Sequence, residues 1–390
     1  MKPSSSTIKT KKVIGAALAA AAMAIPPLHS ALAEAAPEKG IVAFKYLNYQ
    51  DSQPGQDRMA IDAYSVRAMA PIAGKWAIDV TGTHDSVTGA SPDYHTYVHQ
   101  DTETGASKIK ADTRRAIDLS VSRYFHSGSL TAGTSYSEES DYISRSYSLQ
   151  GNYLTPSKNT TFTLGFSHTV DSINPNNHRF KYTEHKEVNA WLVGLTQVIS
   201  KNDIVQLNLS RSIGTGYFSD PYRENDRRPR QRNFTTVMTR WNHYFDSTEG
   251  STRFAYRYYT DTFGIRAHTA GIEYVQPLPY AFTVTPVIRF YSQTAADFYV
   301  PVGPDELADP TIPTSPPAGA KSFTEDQRLS TFGALTLGLK VSRKFAGDWL
   351  FDVRYDHYMQ RGDWAISGTV DHALADFNAD FIQIGLSKEF

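Results

Sequence analysis

The chain has 390 residues, a formal net charge of −1 and no cysteine. The balanced charge gives no argument for a nucleic-acid partner. The absence of cysteine excludes disulfides, thiolate metal sites and thiol nucleophiles. The mean hydropathy of −0.41 excludes a helical membrane protein, but it fits a β-barrel, in which only every second residue faces lipid.

The N-terminal segment predicts an export signal. Four lysines within the first twelve residues precede an apolar run from Val13 to Ile25, which ends at Pro26. An A-x-A cleavage site follows, formed by Ala31 and Ala33 in front of Glu34. The apolar run is shorter than the ~20 residues that a spanning helix needs. We therefore expect a cleaved signal peptide over residues 1–33, rather than a membrane anchor, and a single barrel domain over residues 34–390.

Beyond the signal, the chain repeats runs of alternating polarity that are separated by short breaks. In the run at 203–210, three apolar side chains alternate with three polar ones, namely Val205, Leu207 and Leu209 with Gln206, Asn208 and Ser210. Such alternation is typical of a strand with one apolar and one wet face. Sixteen runs predict strands near 41–49, 58–70, 74–85, 112–125, 128–139, 141–155, 159–170, 186–200, 202–212, 233–245, 250–261, 265–277, 280–292, 328–345, 347–359 and 379–390.

The connections between these strands alternate in length. Short turns are predicted near 71–74, 126–128, 155–158, 200–203, 246–250, 276–279 and 346–347. All of the long connections fall in the other set of positions, at 86–111, 171–185, 213–232, 293–327 and 360–378. Outer-membrane barrels have short periplasmic turns and longer outer loops. The fold class is therefore predicted as all-β, an antiparallel up-and-down transmembrane barrel of about 16 strands with both termini on the short-turn side.

The last predicted strand, 379–390, has Ile382, Ile384 and Leu386 on one face and stops at Phe390. We expect this strand to pair with the strand near 41–49 and so to close the barrel. Phe390 is expected to lie in the periplasmic aromatic belt, where barrel-assembly machinery would read it. Lys388 stands where an apolar residue is common, and a lysine there can extend to the lipid headgroups.

Three short stretches are distinctive, namely Asp-Ser-Val-Thr-Gly-Ala-Ser-Pro at 85–92, Ser-Tyr-Ser-Glu-Glu-Ser-Asp-Tyr at 135–142 and Asn174-Pro175. On these residues the chain resembles the bacterial outer-membrane β-barrel family catalogued as domain of unknown function 3570. It covers essentially the whole chain after the signal. It implies an outer-membrane barrel, and it implies neither an established activity nor catalytic residues.

Charged residues are predicted on the inner, wet face of the barrel. They are Asp79, Asp118, Arg240, Arg257, Glu273, Arg289, Lys340, Asp352, Arg354 and Asp356. They could line an aqueous, ion-selective lumen. Alternatively, the acids and bases could pair across neighbouring strands and brace the wall. The basic residues concentrate toward the later strands, which predicts a more basic wall there.

The predicted outer loop at 213–232 is rich in arginine. Its basic residues are Arg223, Arg227, Arg228, Arg230 and Arg232, and they outnumber its acids. Guanidinium groups suit phosphate, so this loop could funnel anions or hold the phosphates of lipopolysaccharide. The alternative is a solvated loop with internal ion pairs.

Metal binding and catalysis have weak support. Asp93, His95, His99 and Asp101 share one predicted loop, and His178 and His185 lie on the next. Two histidines separated by three residues converge on a metal when they lie on a helix, and none is predicted here. Sequence motifs of hydrolases, zinc proteases and phosphate-binding loops are absent. No cofactor, metal site or enzymatic activity is therefore predicted.

The predicted function is a porin-like passive channel for small polar or ionic solutes in the bacterial outer membrane. The expected partners are membrane lipid, lipopolysaccharide, the barrel-assembly machinery and permeating solutes, and no nucleic acid is expected. Two alternatives stay open. The barrel could be a scaffold or sheath for a secreted or surface partner, or it could be a hydrolase with its site at the rim.

Overall fold

The computed structural model describes residues 36–90, 108–175, 182–221, 226–302, 315–372 and 374–390. Several sequence predictions lie outside these residues. They concern the signal peptide with Ala31, Ala33 and Glu34, loop residue Arg223, and the metal candidates Asp93, His95, His99, Asp101 and His178.

Sixteen antiparallel strands form a closed barrel in which each strand pairs with its neighbours in the chain and β1 pairs with β16. The strands are β1 Ile41–Gln53, β2 Gln56–Ile72, β3 Trp76–Ala90, β4 Lys108–Phe125, β5 Gly128–Glu138, β6 Tyr142–Leu154, β7 Thr160–Ile173, β8 Glu184–Val198, β9 Asp203–Gly216, β10 Gln231–Phe245, β11 Gly250–Asp261, β12 Arg266–Leu278, β13 Phe282–Gln293, β14 Phe332–Phe345, β15 Trp349–Arg361 and β16 Phe377–Glu389. The predicted fold class, strand number and closing pair are confirmed.

The strands extend further than predicted at the end that carries the long loops. Strand β1 continues to Gln53, β3 to Ala90 and β9 to Gly216. Above a lipid layer both faces of a strand are wet, so alternation no longer marks the strand there. One predicted start is wrong, because β14 begins at Phe332 rather than at 328. Residues 327–329 form a short 3₁₀ turn instead, and the Asp326 carboxylate caps this turn by accepting from the Arg328 N–H.

The predicted sorting of connections by length is present. One rim carries only turns of two to five residues, between β2 and β3 and at every second connection after that. Two of these turns contain glycines in the left-handed region, Gly74 at φ 63° and Gly347 at φ 76°. The other rim carries the long connections, which include 217–230, 294–331 and 362–376. We call these the turn rim and the loop rim.

The outer face of the wall is apolar and the inner face is polar. Phe44, Leu386 and Phe351 lie in one register row across β1, β16 and β15, and all three are exposed on the outer face. The neighbouring row on the inner face is Lys45, Gly385 and Asp352. The described residues include no helix of the length and hydrophobicity that crossing a membrane requires.

Aromatic and basic side chains pair near the turn rim. The Arg123 guanidinium lies 4.6 Å from the Trp76 ring centre, and the Lys388 ammonium lies 5.3 Å from that of Trp349. Aromatic residues and long basic side chains favour the boundary between lipid and water. Together with the apolar outer face and the two unequal rims, these pairs give the chain the architecture of an outer-membrane barrel.

Candidate functional site

The strand register places all ten predicted charged residues on the inner face of the barrel. Asp79 and Asp118 lie on neighbouring strands β3 and β4. The remaining eight lie on β10 to β15, and they are Arg240, Arg257, Glu273, Arg289, Lys340, Asp352, Arg354 and Asp356. Eight of the ten predicted residues therefore lie on the later strands.

Several of these residues form ion pairs along the wall. Arg354 lies 2.7 Å from Asp356, and Lys340 lies 3.3 Å from Asp352. Glu273 has a looser partner, Arg253, at 3.8 Å. The pairs of Lys340 with Asp352 and of Glu273 with Arg253 join neighbouring strands, as the second interpretation of the sequence predicted. Arg354 and Asp356 lie on the same strand, β15.

Asp79 has a partner that sequence reasoning did not assign. Its carboxylate accepts hydrogen bonds from Nε and Nη2 of Arg67 on β2, and the shortest distance is 2.5 Å. A two-pronged guanidinium–carboxylate contact fixes both side chains. Because these residues lie on adjacent strands at offset positions, only the register of β2 and β3 brings them together.

Two adjoining cavities occupy the lumen beside β2 to β9. Their volumes are about 550 and 520 Å³. Both are lined by Arg67, Asp79, Ser120 and Ser148. Twelve further serines and threonines line them, including Ser122, Thr131, Ser167, Thr83 and Ser135. We call the lining of the two cavities the hydroxyl wall, because its many hydroxyl groups can hydrogen-bond to water or to polar solutes.

An apolar cluster covers part of the inner face near the loop rim, which the alternation did not predict. Leu47, Tyr49 and Ile61 are fully buried, although they lie on the inner face of β1 and β2. The Tyr49 hydroxyl donates to Asp51 at 2.7 Å. The partly buried rings of Phe381 and Tyr358 pack against the cluster. The cluster fills the lumen on this side, so the wet inner surface is not continuous around the barrel.

Described residues from several connections of the loop rim pack into a folded layer, which we call the loop layer. Its apolar centre contains Phe263, Ile265, Ala296 and Leu329. These residues come from the connections between β11 and β12 and between β13 and β14. The Asp297 N–H donates to the Phe263 carbonyl at 2.8 Å. The connection at 294–331 is therefore tied to its neighbours at the mouth of the barrel.

Arginines of the predicted basic loop make internal ion pairs. Arg228 lies 2.7 Å from both Asp226 and Asp326, and Arg230 lies 2.7 Å from Glu184. Arg232, at the start of β10, lies 2.7 Å from Asp261. Burial raises the pKa of the Asp226 carboxyl, and the Arg228 charge opposes that rise.

Arg227 differs from these three arginines. Its side chain is exposed, while its backbone forms an isolated antiparallel bridge with Phe323. The arginines at 228, 230 and 232 thus serve mainly to hold the loop layer together, as the alternative interpretation of this loop predicted. Of the arginines named there, Arg227 is the one in the described segments that stays exposed without an ion pair.

Two histidine–aspartate pairs lie on the outer face of the wall. His243 Nδ1 lies 2.7 Å from Asp203, and the Trp241 indole donates to the same carboxylate at 2.9 Å. His357 Nδ1 lies 2.8 Å from Asp380. In the parts of the chain that the structure describes, neither imidazole has a serine hydroxyl within hydrogen-bond distance, and no cluster of three metal-ligating side chains occurs.

The model of the family described as "Protein of unknown function (DUF3570)" matches residues 15–182 and 175–381. The chain belongs to this family. The resemblance predicted from residues 85–92, 135–142 and 174–175 is therefore confirmed. No curated protein matches the chain.

Solved outer-membrane proteins are among the structures to which this chain is similar. A structure described as a bacterial polysaccharide outer membrane secretin is 8% identical, with 90% of this chain and 98% of that chain covered and a TM-score of 0.48. OccD3 (OpdP) from Pseudomonas aeruginosa is 12% identical over 91% of this chain and 92% of its own, with a TM-score of 0.43. OccK2 (OpdF) from the same organism, in complex with glucuronate, is 9% identical, with 93% of this chain and 100% of that chain covered and a TM-score of 0.44. Similarities at this level carry no argument about function.

Proposed function

We propose that the barrel is a passive channel for small polar or ionic solutes in the bacterial outer membrane. The observation that carries the proposal is the pair of adjoining cavities inside the barrel, of about 550 and 520 Å³, with a lining of hydroxyl groups and the Arg67–Asp79 pair. Polar lumens of this kind suit water-filled diffusion paths. The proposal includes no catalytic step.

The outer-membrane location is part of the same proposal. It is supported by the apolar outer face, by the basic and aromatic pairs near the turn rim and by the predicted signal over 1–33. Lipid and lipopolysaccharide would surround the barrel, and the assembly machinery would insert it. Fractionation of cells that express the full chain should recover the protein with outer-membrane markers. Recovery in the soluble periplasm would contradict the proposed location.

Conductance of purified protein in a planar lipid bilayer tests the channel. We expect stepwise ion currents from the wild-type chain. Ser148→Trp places a large ring in both cavities and should reduce the single-channel conductance. Tyr147→Trp is the matched control, because the neighbouring side chain points outward and is 58% exposed. A correctly folded barrel that passes no current would exclude the channel.

A scaffold for a surface partner is the second candidate function, and the loop layer favours it. The described residues of the loop layer pack around Phe263 and Leu329 and form a folded surface at this rim. Gly264 has φ +89°, and a Cβ there would lie 2.1 Å from Asp297 Oδ1. Gly264→Ala should therefore disturb the layer and leave the barrel intact.

Purification of tagged wild-type and Gly264→Ala protein from solubilised outer membrane tests the scaffold. A stoichiometric partner that is recovered with the wild type and lost with the variant would support it. Equal recovery from both chains would mean that the loop layer is not the docking surface. Assays of ester and phospholipid hydrolysis check the proposal that the barrel is not an enzyme.

A further inference from the structure

Three arginines lie close together on one part of the inner wall. Arg240 of β10 and Arg289 of β13 belong to a single register row, in which Ala255 and Gly271 lie between them. Arg257 lies on β11, one inward-facing position from Ala255. All three side chains are exposed within the lumen. We call them the arginine cluster.

The small residues between the arginines keep the space above this part of the sheet open. A Cβ built on Gly271 would lie 3.9 Å from the Arg289 Cβ and 4.0 Å from its Cγ. The Arg289 side chain therefore lies beside the bare backbone of β12. The Arg257 guanidinium donates to the Thr269 hydroxyl of the same strand at 3.3 Å. Arg257 and Arg289 thus lie on the two strands that flank β12, and both side chains contact the inner face of that strand.

No carboxylate within 4 Å neutralises the arginine cluster among the residues that the structure describes. The nearby inward-facing acids have other partners. Asp356 pairs with Arg354 at 2.7 Å, and Asp352 pairs with Lys340 at 3.3 Å. Glu273 has Arg253 at 3.8 Å. Like charges that face one lumen without counterions repel each other, so a mobile anion stabilises them.

The hydroxyl wall does not balance this charge. Its arginines Arg67 and Arg114 pair with Asp79 and Asp85. Asp118 is the inward-facing acid of β4 that has no ion pair in the described part of the chain. Among the side chains that the structure describes on the inner face of β3, β4 and β10 to β13, three guanidinium groups and one carboxylate thus lack an ion pair.

We infer that Arg240, Arg257 and Arg289 form a binding site for small oxyanions, carboxylates or phosphates, inside the lumen and make the barrel selective for anions over cations. Guanidinium groups bind both classes of oxyanion through paired N–H donors. A ring of such groups along a pore attracts anions and repels cations. The selectivity rests on the proposed channel function, whereas the binding site does not.

Two measurements on the full-length protein separate these claims. The first is the reversal potential in planar bilayers under a KCl gradient. The second is calorimetric binding of inorganic phosphate and of glutarate to the detergent-solubilised barrel. The test variant combines Arg240→Gln, Arg257→Gln and Arg289→Gln. The matched control combines Arg115→Gln, Arg145→Gln and Arg211→Gln, which removes the same charge from the outer face of the wall.

We expect a reversal potential on the anion-selective side for the wild type and the control, and a shift toward cation selectivity for the test variant. Phosphate or glutarate binding should weaken roughly tenfold or more in the test variant, as expected for the loss of charged hydrogen bonds. If the wild type conducts but shows neither anion preference nor anion binding, the anion-site inference is wrong and the proposed channel function is unaffected. Anion binding by a barrel that passes no current would overturn the channel and keep the site.

Discussion

At the scale of single residues, the closure of the barrel depends on a contact between its two ends. The Gly40 N–H donates to the Phe390 carbonyl at 2.9 Å, and the Phe390 N–H donates to the Gly40 carbonyl at 3.0 Å. A Cβ built on Gly40 would lie 2.6 Å from the Phe390 ring. The ring therefore packs across the backbone of Gly40, on the outer face, where it remains 63% exposed.

Deletion of Phe390 should lower the amount of barrel in the outer membrane, because it removes both terminal hydrogen bonds and the exposed ring that assembly machinery is expected to read. Gly40→Val should displace the ring while the terminal residue stays in place. Heat-modifiable mobility on gels and quantification of membrane fractions measure both effects. If Gly40→Val assembles normally and the deletion does not, recognition depends on the residue itself. Normal levels of the deletion variant would contradict the assembly role.

At the scale of strands, large polar side chains of the inner face lie over glycines of the adjacent strand. Asp352 of β15 lies over Gly385 of β16, where a Cβ would approach its Oδ2 to 2.3 Å. Asp356 of the same strand lies over Gly338 of β14 in the same way, at 2.0 Å. The bare backbone leaves room for each carboxylate to reach its basic partner, Lys340 or Arg354. Inner-face glycines are therefore part of the charge arrangement.

Gly385→Val should destabilise the barrel by about 1–3 kcal/mol, as overpacking of a close contact commonly does. The new side chain would push Asp352 away from Lys340. Urea unfolding in lipid vesicles measures the free energy of unfolding. Gly82→Val is the matched control, since nothing lies within 4 Å of a Cβ at that outward-facing position. Equal stability of the two variants would show that the contact over Gly385 has no energetic importance.

The sequence predicted strands well where lipid faces one side and water the other. Leu207 and Leu209 alternate with Asn208 for this reason. Prediction failed where that contrast disappears. The ends of β3 and β9 beyond the lipid were missed, and Leu47 and Tyr49 on the inner face break the alternation because they pack against other inner apolar groups. Such contacts depend on register, which a single sequence does not reveal.

For the candidate site too, the sequence predicted one part and missed another. The inward direction of the ten charged residues follows from alternation within each strand. Their ion-pair partners cannot be read from alternation. Whether Arg67 meets Asp79, and whether Arg289 meets an acid, depends on how neighbouring strands are offset. Likewise, Arg228 meets Asp326 across 98 residues of chain. The composition of the loop predicts ion pairs there, while the choice of partner comes from the packing of the loop layer.

At the scale of the whole molecule, function as a channel requires that the wall has no open edge, because an unpaired strand edge in lipid leaves backbone groups without partners. The closing seam is the pairing of β1 with β16, where Phe44 stands opposite Leu386. It joins the two ends of the chain, so it forms only when every other strand is in its place. Formation of the β1–β16 pair is therefore evidence that the complete barrel has formed.

The absence of cysteine makes this seam directly testable. Phe44→Cys with Leu386→Cys places two thiols at register partners, whose Cα atoms are about 4.5–5.5 Å apart in antiparallel pairs. That separation is within the range of a disulfide. Mild oxidation of the assembled double variant should give a cross-linked monomer with altered mobility on a denaturing gel. The matched control is Phe44→Cys with Ile384→Cys, because Ile384 lies two residues from the register partner of Phe44 on the same face. The two positions are then about 7–8 Å apart, so this pair should cross-link poorly. Efficient cross-linking of the offset pair alone would show a different register, which would move Lys45 away from Asp352 and change the charge arrangement of the lumen.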